Sequence, residues 1–231
     1  MREIVLDTET TGFEPSEGHR IVEIGAVELF NHMPTGRTYH QYINPERPMP
    51  KEAFDVHGLG DDFLRDKPLF QHIGQAFLDF VGDARLVIHN AAFDMKFLNF
   101  ELGRAKLRTL PFDQALDTVG LARKKFPGSP ASLDALCRRF GVDNSAREKH
   151  GALLDSEILA EVYLELIGGR QPDFGLSTAA QNARDDAGPA QVWRPRPRPA
   201  PLAPRITEAE AAAHAAFVAK LGDGAIWLKR T

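Results

Sequence analysis

Residues 4–12 of the chain read IVLDTETTG. The first three residues form the short aliphatic run that a central strand needs, and the polar residues mark its end. Because side chains alternate along a strand, Asp7 and Glu9 lie on one face and point to one place. Two carboxylates at close range repel each other and require positive charge nearby. Taken alone, this stretch fits a metal-binding pair, and it also fits a solvated strand end capped by threonines.

Further strands are predicted on either side of a change in periodicity. Residues 21–29 are largely apolar and residues 38–43 are rich in β-formers, with Gly- and Pro-containing turns between the runs. Together with the first strand they predict an antiparallel meander. Later in the chain, residues 86–88 read as a core strand, and residues 113–117 are predicted to form the last strand.

Helical spacing begins after the meander. Asp66 is predicted to cap a helix that has Pro68 in its first turn. Later helices are predicted from apolar stripes in three segments, residues 95–102, 133–140 and 154–166. Strands first and strand–helix alternation afterwards predict an α/β domain, a mixed sheet with helices on its faces.

Composition divides the chain into three parts. The α/β domain is predicted to span residues 1–170. Residues 171–205 are rich in Pro and Arg and poor in large aliphatic residues, which predicts a flexible linker whose arginines are solvated or touch nucleic acid. Residues 206–231 are predicted to form a small helical docking segment that begins at Thr207, a good N-cap. So short a segment cannot build its own core, so it docks onto another protein or folds back onto the main domain.

Charge, cysteine content and hydropathy limit the classes of function that this chain can have. The formal net charge of -4 argues against a wide surface that tracks the phosphates of duplex DNA, but it fits an enzyme that grips a strand end through bound cations. The single cysteine, Cys137, excludes an internal disulfide and is predicted to be a buried core thiol. With no apolar run long enough to span a membrane, we expect no membrane association and a cytoplasmic location.

Two more motifs carry polar residues at element ends. Residues 89–94 read HNAAFD and end at Asp94, which follows a core strand and opens a helix. Asp94 is either an ordinary helix cap or a ligand at the sheet edge where α/β folds bind their ligands. Residues 150–155 read HGALLD, which places His150 on a loop and Asp155 in the first turns of a helix that begins near Gly151. Alone, a loop histidine is more often solvated than catalytic.

The combination of Asp7-x-Glu9, Asp94 and His150-x4-Asp155 resembles the DnaQ-like (DEDDh) exonuclease superfamily. The fuller strings, with SLDALC at residues 132–137, are similar to the branch that proofreads for bacterial DNA polymerase III. The resemblance implies a ribonuclease-H-like fold with a mixed five-stranded sheet flanked by helices. It also implies that the four carboxylates hold two divalent cations, Mg²⁺ or Mn²⁺, and that His150 is the general base.

The resemblance further implies how the substrate is held. Residues 52–58 read EAFDVHG and match a family segment in which Glu52 and His57 contact the terminal nucleotide. On the residues alone this segment is also compatible with a capped surface turn. The pocket is expected to include Thr10 and Phe93, although Phe93 also fits a plain core position. Of the acidic residues, Asp7, Glu9 and Asp155 are expected to contact substrate as well as metal.

Partners are implied by the same resemblance. They are a single-stranded or mispaired DNA 3′ end, the polymerase III catalytic (alpha) subunit bound through residues 206–231, and a small theta-like subunit. A weak match to a sliding-clamp peptide lies at residues 171–176. Two other functions remain open at this point: an RNA-trimming member of the same superfamily, and a non-catalytic binding module with the same fold.

Overall fold

The computed structural model of the chain describes residues 1–145, 147, 149–169 and 206–222. The chain divides into two compact units, residues 1–174 and 175–231. The predicted linker at residues 171–205, the clamp-like peptide at residues 171–176 and the last residues of the docking segment lie outside the described residues. None of the described helices is long and apolar enough to cross a membrane.

A five-stranded mixed sheet forms the centre of the first unit. Its strands are β1 (Arg2–Thr10), β2 (Ile21–Phe30), β3 (Met33–Tyr42), β4 (Arg85–Ile88) and β5 (Ala115–Asp117). Their order across the sheet is β3-β2-β1-β4-β5. The first three strands form the predicted antiparallel meander, and β4 and β5 run parallel to β1. The predicted fold class is therefore confirmed.

Two strands differ from their predicted bounds. β3 begins at Met33 rather than near residue 38, because Asn31 and His32 adopt positive φ angles of 51° and 66° and form a tight hairpin that extends the pairing back to Phe30. β5 begins at Ala115, after a 3-10 turn at Phe112–Gln114.

Helices cover both faces of the sheet. The helices of the first unit are α1 (Lys51–His57), α2 (Asp61–Leu64), α3 (Phe70–Val81), α4 (Ala91–Arg104), α5 (Thr118–Lys125), α6 (Leu133–Phe140) and α7 (Ala152–Leu166); the second unit, described by itself, contains α8 (Glu208–Lys220). The core on one face packs α3 and α4 against Ile4 and Leu6, and the core on the other packs α6 and α7 against Val5. Cys137 is buried in this second core, as predicted.

The predicted start of α3 is wrong. The helix begins at Phe70, and its N-cap is Leu69, with no side-chain capping bond from Asp66. Before it, the carbonyl of Pro68 accepts a hydrogen bond from the backbone N–H of Asn44 at 3.0 Å, which ties the segment to the end of the meander. Leu69 is accordingly extended, with ψ of 153°, so the helical turn starts four residues after Asp66 rather than next to it.

The helix of the second unit begins as predicted. The Thr207 hydroxyl accepts a hydrogen bond from the backbone N–H of Glu210 at 3.3 Å, and the Glu210 carboxylate accepts one from the backbone N–H of Thr207 at 2.8 Å. This reciprocal capping box fixes the N-terminus of α8.

Close approach of α7 to β2 places the end of β1 beside that helix. Gly25 lies opposite Asp7 in the β1–β2 register, and its carbonyl accepts a hydrogen bond from the Ser156 hydroxyl at 2.9 Å. A Cβ atom at Gly25 would lie 2.1 Å from the backbone nitrogen of Leu153. Only a residue without a side chain therefore lets α7, and Asp155 on it, approach the strand this closely.

We expect Gly25→Ala to lower the free energy of unfolding by about 3 kcal/mol or more, because the methyl group meets backbone that cannot rotate away. Urea denaturation measures the loss. Gly103→Ala is the matched control: this helical glycine has open space around the added Cβ, so the change is expected to stabilise by about 0.5–1 kcal/mol. Equal stability of Gly25→Ala and the wild type would contradict the close contact.

Candidate active site

Strand β1 delivers the first two carboxylates. Asp7 and Glu9 continue the row of Val5, so both face the side of the sheet covered by α7. Glu9 is buried and lies opposite Glu23 of β2 in the register. The expectation that Asp7 and Glu9 share one face is confirmed.

Helix α4 delivers the third carboxylate. Asp94 lies in the first turn of this helix and is buried, and its Oδ1 accepts a hydrogen bond from the Thr8 hydroxyl at 2.7 Å. The N-cap position belongs to Asn90, whose backbone is left-handed with φ of 69°. Asp94 is therefore not the helix cap, and its side chain is turned toward β1.

Helix α7 delivers the fourth carboxylate and the histidine. Gly151 is the N-cap, as predicted, and Asp155 is buried in the first turn. His150 precedes the helix with its side chain about half exposed, and its Nδ1 lies 3.4 Å from Asp155 Oδ2. Ligand atoms of Glu9, His150 and Asp155 lie within 4.8 Å of one another.

Of the four carboxylates, Glu9 and Asp155 belong to this close group, and Asp7 and Asp94 interact with them through their charges. Burial raises the pKa of Asp7 well above its ordinary value, and the charges of Asp94, Glu9 and Asp155 raise it further. Burial, followed by the charge of Asp155, raises the pKa of Glu9 to about 8. Burial also raises the pKa of Asp94 to about 7. Such a cluster requires cations, and its hard oxygen donors suit divalent ions such as Mg²⁺ and Mn²⁺.

We expect the metal-free protein to lose stability as the pH rises from about 4 to about 8. The pKa values of Glu9 and Asp94 are higher in the folded state than their ordinary values of 4.5 and 3.8. The stability that they contribute is therefore complete below the ordinary values and is lost as the pH rises through the folded values. Asp155, whose pKa is lowered, stays ionised throughout this window.

Calorimetric Tm values across this pH range, with chelator and with saturating Mg²⁺, measure the effect. The Tm in chelator is expected to fall by several degrees, and Mg²⁺ is expected to remove most of the fall by binding the folded state. A metal-free Tm that stays level or rises over this window would contradict the clustering of buried carboxylates.

Arg147 is a site residue that the sequence did not reveal. Its Nε and Nη2 donate to Asp155 Oδ1 and Oδ2 at 2.5 and 2.7 Å, and its Nη1 donates to Asp134 Oδ1 at 2.8 Å. Burial alone would raise the pKa of Asp155, but hydrogen bonds from His150 and Arg147 and the Arg147 charge bring it below its ordinary value. A single arginine in a loop has no periodic signal, and only its position three residues before His150 hints at a role.

A cavity of about 320 Å³ lies at the end of β1, where Thr10, the residue after Glu9, lines it; the four acids and His150 are not among its lining residues. Three predicted substrate-binding residues, Thr10, Glu52 and His57, line it, together with Phe13 and His19, for which no prediction was made from the sequence. Further lining residues are Thr11, Gly12, Pro50, Ala53 and Val56. Helix α1 thus presents the EAFDVHG segment to the same end of β1 that carries the carboxylates.

His57 has an unused polar atom in this cavity wall. Its Nδ1 accepts a hydrogen bond from the backbone N–H of Leu59 at 3.0 Å, and its buried Nε2 has no partner among the described residues. Burial lowers the pKa of His57, which favours the neutral ring with its proton on Nε2. The Thr10 backbone beside the ring offsets part of this lowering.

Phe93 occupies a different position from the other expected pocket residues. Its half-buried ring packs against the core next to Phe97, with 5.0 Å between ring centroids. It is not among the residues that line the cavity.

Comparisons with known proteins identify the family of the chain. The sequence model of the exonuclease family of RNase T type matches residues 4–163. The chain therefore belongs to this exonuclease family, whose DEDDh members use divalent metal ions.

Relatives define the branch of that family. The DNA polymerase III subunit epsilon of Rickettsia felis is 58% identical over 179 residues, covering 76% of this chain and 78% of the relative. The DNA polymerase III subunit epsilon of Escherichia coli K12 is 44% identical over 237 residues, covering 98% of this chain and 97% of the relative. The branch is thus that of the DNA polymerase III epsilon subunits, and the activity is that of a proofreading 3′→5′ exonuclease in DNA replication.

Solved structures share the fold. The nuclease domain of 3′hExo, a DEDDh family member bound to rAMP, superposes with a TM-score of 0.62 at 21% identity, covering 72% of this chain and 91% of that domain. At this identity the likeness supports the architecture alone.

Proposed function

We propose that Asp7, Glu9, Asp94 and Asp155 hold two divalent cations, Mg²⁺ or Mn²⁺, and that His150 is the general base of hydrolysis at a DNA 3′ end. The observation that supports the proposal is the proximity of these acids: burial and then neighbouring carboxylate charges raise the pKa values of Asp7 and Glu9, and burial raises the pKa of Asp94. When bound, the ions supply activation of a water and stabilisation of the leaving 3′ oxygen.

The protein's own groups supply positioning and proton transfer. His150 lies next to Asp155 and is half exposed, so one ring nitrogen is accessible to take the proton of the attacking water. Asp7, Glu9 and Asp155 would contact the substrate as well as hold the ions.

The cavity at the end of β1 is proposed to hold the terminal nucleotide. Glu52 and Thr10 offer oxygen acceptors to its sugar or base, and the His57 Nε2–H offers a donor. We retain Phe93 as a proposed stacking contact for a base, since it directly precedes Asp94 and remains partly exposed. The apolar walls suit a single unstacked nucleotide better than a duplex end.

Digestion of a 3′-mismatched primer, a matched primer and an RNA of the same sequence tests this function. With Mg²⁺ the mismatched DNA is expected to be shortened fastest, because an unpaired end reaches the cavity at lower free-energy cost. A chelator is expected to abolish the reaction. Equal rates on matched and mismatched DNA would overturn the proposed selectivity, and preference for the RNA would favour an RNA-trimming enzyme.

Residues 206–231 are proposed to tether the exonuclease to the polymerase III catalytic subunit in the cytoplasm, across the predicted linker at residues 171–205. Helix α8 exposes the apolar side chains of Phe217 and Leu221, which suits docking onto another protein. Tethering raises the effective concentration of the exonuclease at the primer end. A theta-like subunit and a clamp contact at residues 171–176 are proposed as further partners.

Deletion of residues 206–231 is expected to abolish binding to the catalytic subunit while hydrolysis of a free single strand continues at the wild-type rate. Gel filtration of the mixed proteins measures binding, and the single-strand assay measures hydrolysis. Retained binding by the truncated chain would refute the docking role.

A further inference from the structure

The Asp155 carboxylate has both of its oxygens occupied by a protein cation. Arg147 Nε and Nη2 engage Oδ1 and Oδ2 in a bidentate pair at 2.5 and 2.7 Å. The pair is nearly buried, with side-chain exposures of 10% for Arg147 and 4% for Asp155. A carboxylate that accepts a guanidinium in this geometry cannot also offer the same lone pairs to a metal ion.

The same guanidinium also engages His150. Arg147 Nη2 lies 2.8 Å from His150 Nδ1. Because arginine is always a donor, Nδ1 accepts this hydrogen bond in the neutral ring whose proton is on Nε2, and in that tautomer its lone pair is not free to take a proton. One arginine therefore occupies a proposed metal ligand and a nitrogen of the proposed base.

Arg147 has a second anchor outside the acidic cluster. Its Nη1 donates to Asp134 Oδ1 at 2.8 Å, and Asp134 lies in the first turn of α6. Asp134 also accepts from the Asn144 side chain at 3.1 Å, so its position does not depend on Arg147. The guanidinium can leave Asp155 and remain paired to Asp134, which lowers the cost of its release.

The backbone at His150 is held independently of Arg147. The backbone N–H of His150 donates to the Val56 carbonyl at 3.2 Å, and α7 starts at Ala152. Release therefore requires a rotation of the Arg147 side chain and leaves His150 and Asp155 in place.

We propose that Arg147 is a latch of the metal-free enzyme, a built-in counter-ion that competes with divalent cations for Asp155 and occupies Nδ1 of His150 until the cations bind. The inference rests on the proposed metal site. Metal binding would then exchange one cation for another at Asp155, because the divalent ions displace the guanidinium. The displaced Arg147 would also release Nδ1 of His150. Arg147 is thus a positioning residue that prevents assembly of the catalytic arrangement without metal.

Mn²⁺ titration of the full chain tests the latch, with calorimetry as the readout. Arg147→Gln removes the competing charge and is expected to bind Mn²⁺ about tenfold more tightly than the wild type, and to have a lower metal-free Tm. Arg147→Lys keeps the charge without the bidentate pair, so its affinity is expected to lie between the two. The matched control is Arg138→Gln, which removes the same charge from an exposed position on α6 and is expected to leave Mn²⁺ affinity unchanged.

A second measurement needs no stable Arg147→Gln protein. The side-chain Nε–H resonance of Arg147, assigned by its absence in Arg147→Lys, is expected to shift on Mg²⁺ titration with the midpoint of metal binding. The latch alone is overturned if wild type and Arg147→Gln bind Mn²⁺ with equal affinity. It is also overturned if the Arg147 Nε–H resonance does not shift when Mg²⁺ is added. A wild-type chain that binds no Mn²⁺ overturns the metal site and the proposed function with it.

Discussion

Asp7→Asn is expected to abolish exonuclease activity and at the same time to stabilise the metal-free protein at neutral pH. Asp7 has its pKa raised by burial and by three neighbouring carboxylates, so its ionised form is unfavourable in the absence of cations. A neutral amide of the same shape removes that repulsion. It also removes a charged ligand, and losing several kcal/mol of transition-state stabilisation lowers kcat by roughly a thousandfold.

The paired measurement for this variant is kcat on a single-stranded 3′ end with Mg²⁺ and Tm in chelator at pH 7.5. Asp55→Asn is the control, because this exposed residue of α1 pairs with Lys51 away from the acidic cluster. We expect it to leave both quantities close to wild type. An Asp7→Asn protein with full activity, or one less stable than wild type without metal, would contradict the electrostatic description of the site.

The second large effect is expected for His150→Ala. General-base catalysis contributes about 10²–10⁴-fold, so kcat is expected to fall by this factor. Metal binding is expected to persist, because the four carboxylates remain. The measurements are single-turnover rates at saturating substrate and the increase of Tm on addition of Mg²⁺.

His72→Ala provides the control for that variant. His72 is an exposed histidine on α3, which covers the face of the sheet opposite to α7. It is expected to keep the wild-type rate. Full activity of His150→Ala with Mg²⁺ would remove His150 from its proposed role. Loss of both activity and the Mg²⁺-induced increase of Tm would indicate instead that His150 helps to build the metal site.

The fold was predictable from the sequence where local patterns reflect burial. Alternation along residues 4–9 places Asp7 and Glu9 on one face, and the helical stripe around Asp155 places it at the start of α7. These features depend on neighbours in the chain, which a sequence displays directly. The mixed sheet follows from the order of these elements.

Features that depend on distant contacts were not predictable in this way. The start of α3 is set by the contact between Pro68 and Asn44, which outweighs the capping propensity of Asp66. From the sequence alone, Asp94 is compatible with a helix cap and with a metal ligand. The structure decides between them, because Asn90 occupies the N-cap position. The role of Arg147 depends on Asp155 and Asp134, which belong to different helices, so no local pattern carries it.

Anomalous scattering from crystals of the full chain grown with Mn²⁺ tests the central claim most directly. We predict two Mn²⁺ ions about 3.5–4 Å apart, bound by carboxylate oxygens of Asp7, Glu9, Asp94 and Asp155. Absence of manganese between these side chains, or an ion bound elsewhere while they remain unligated, would contradict the account.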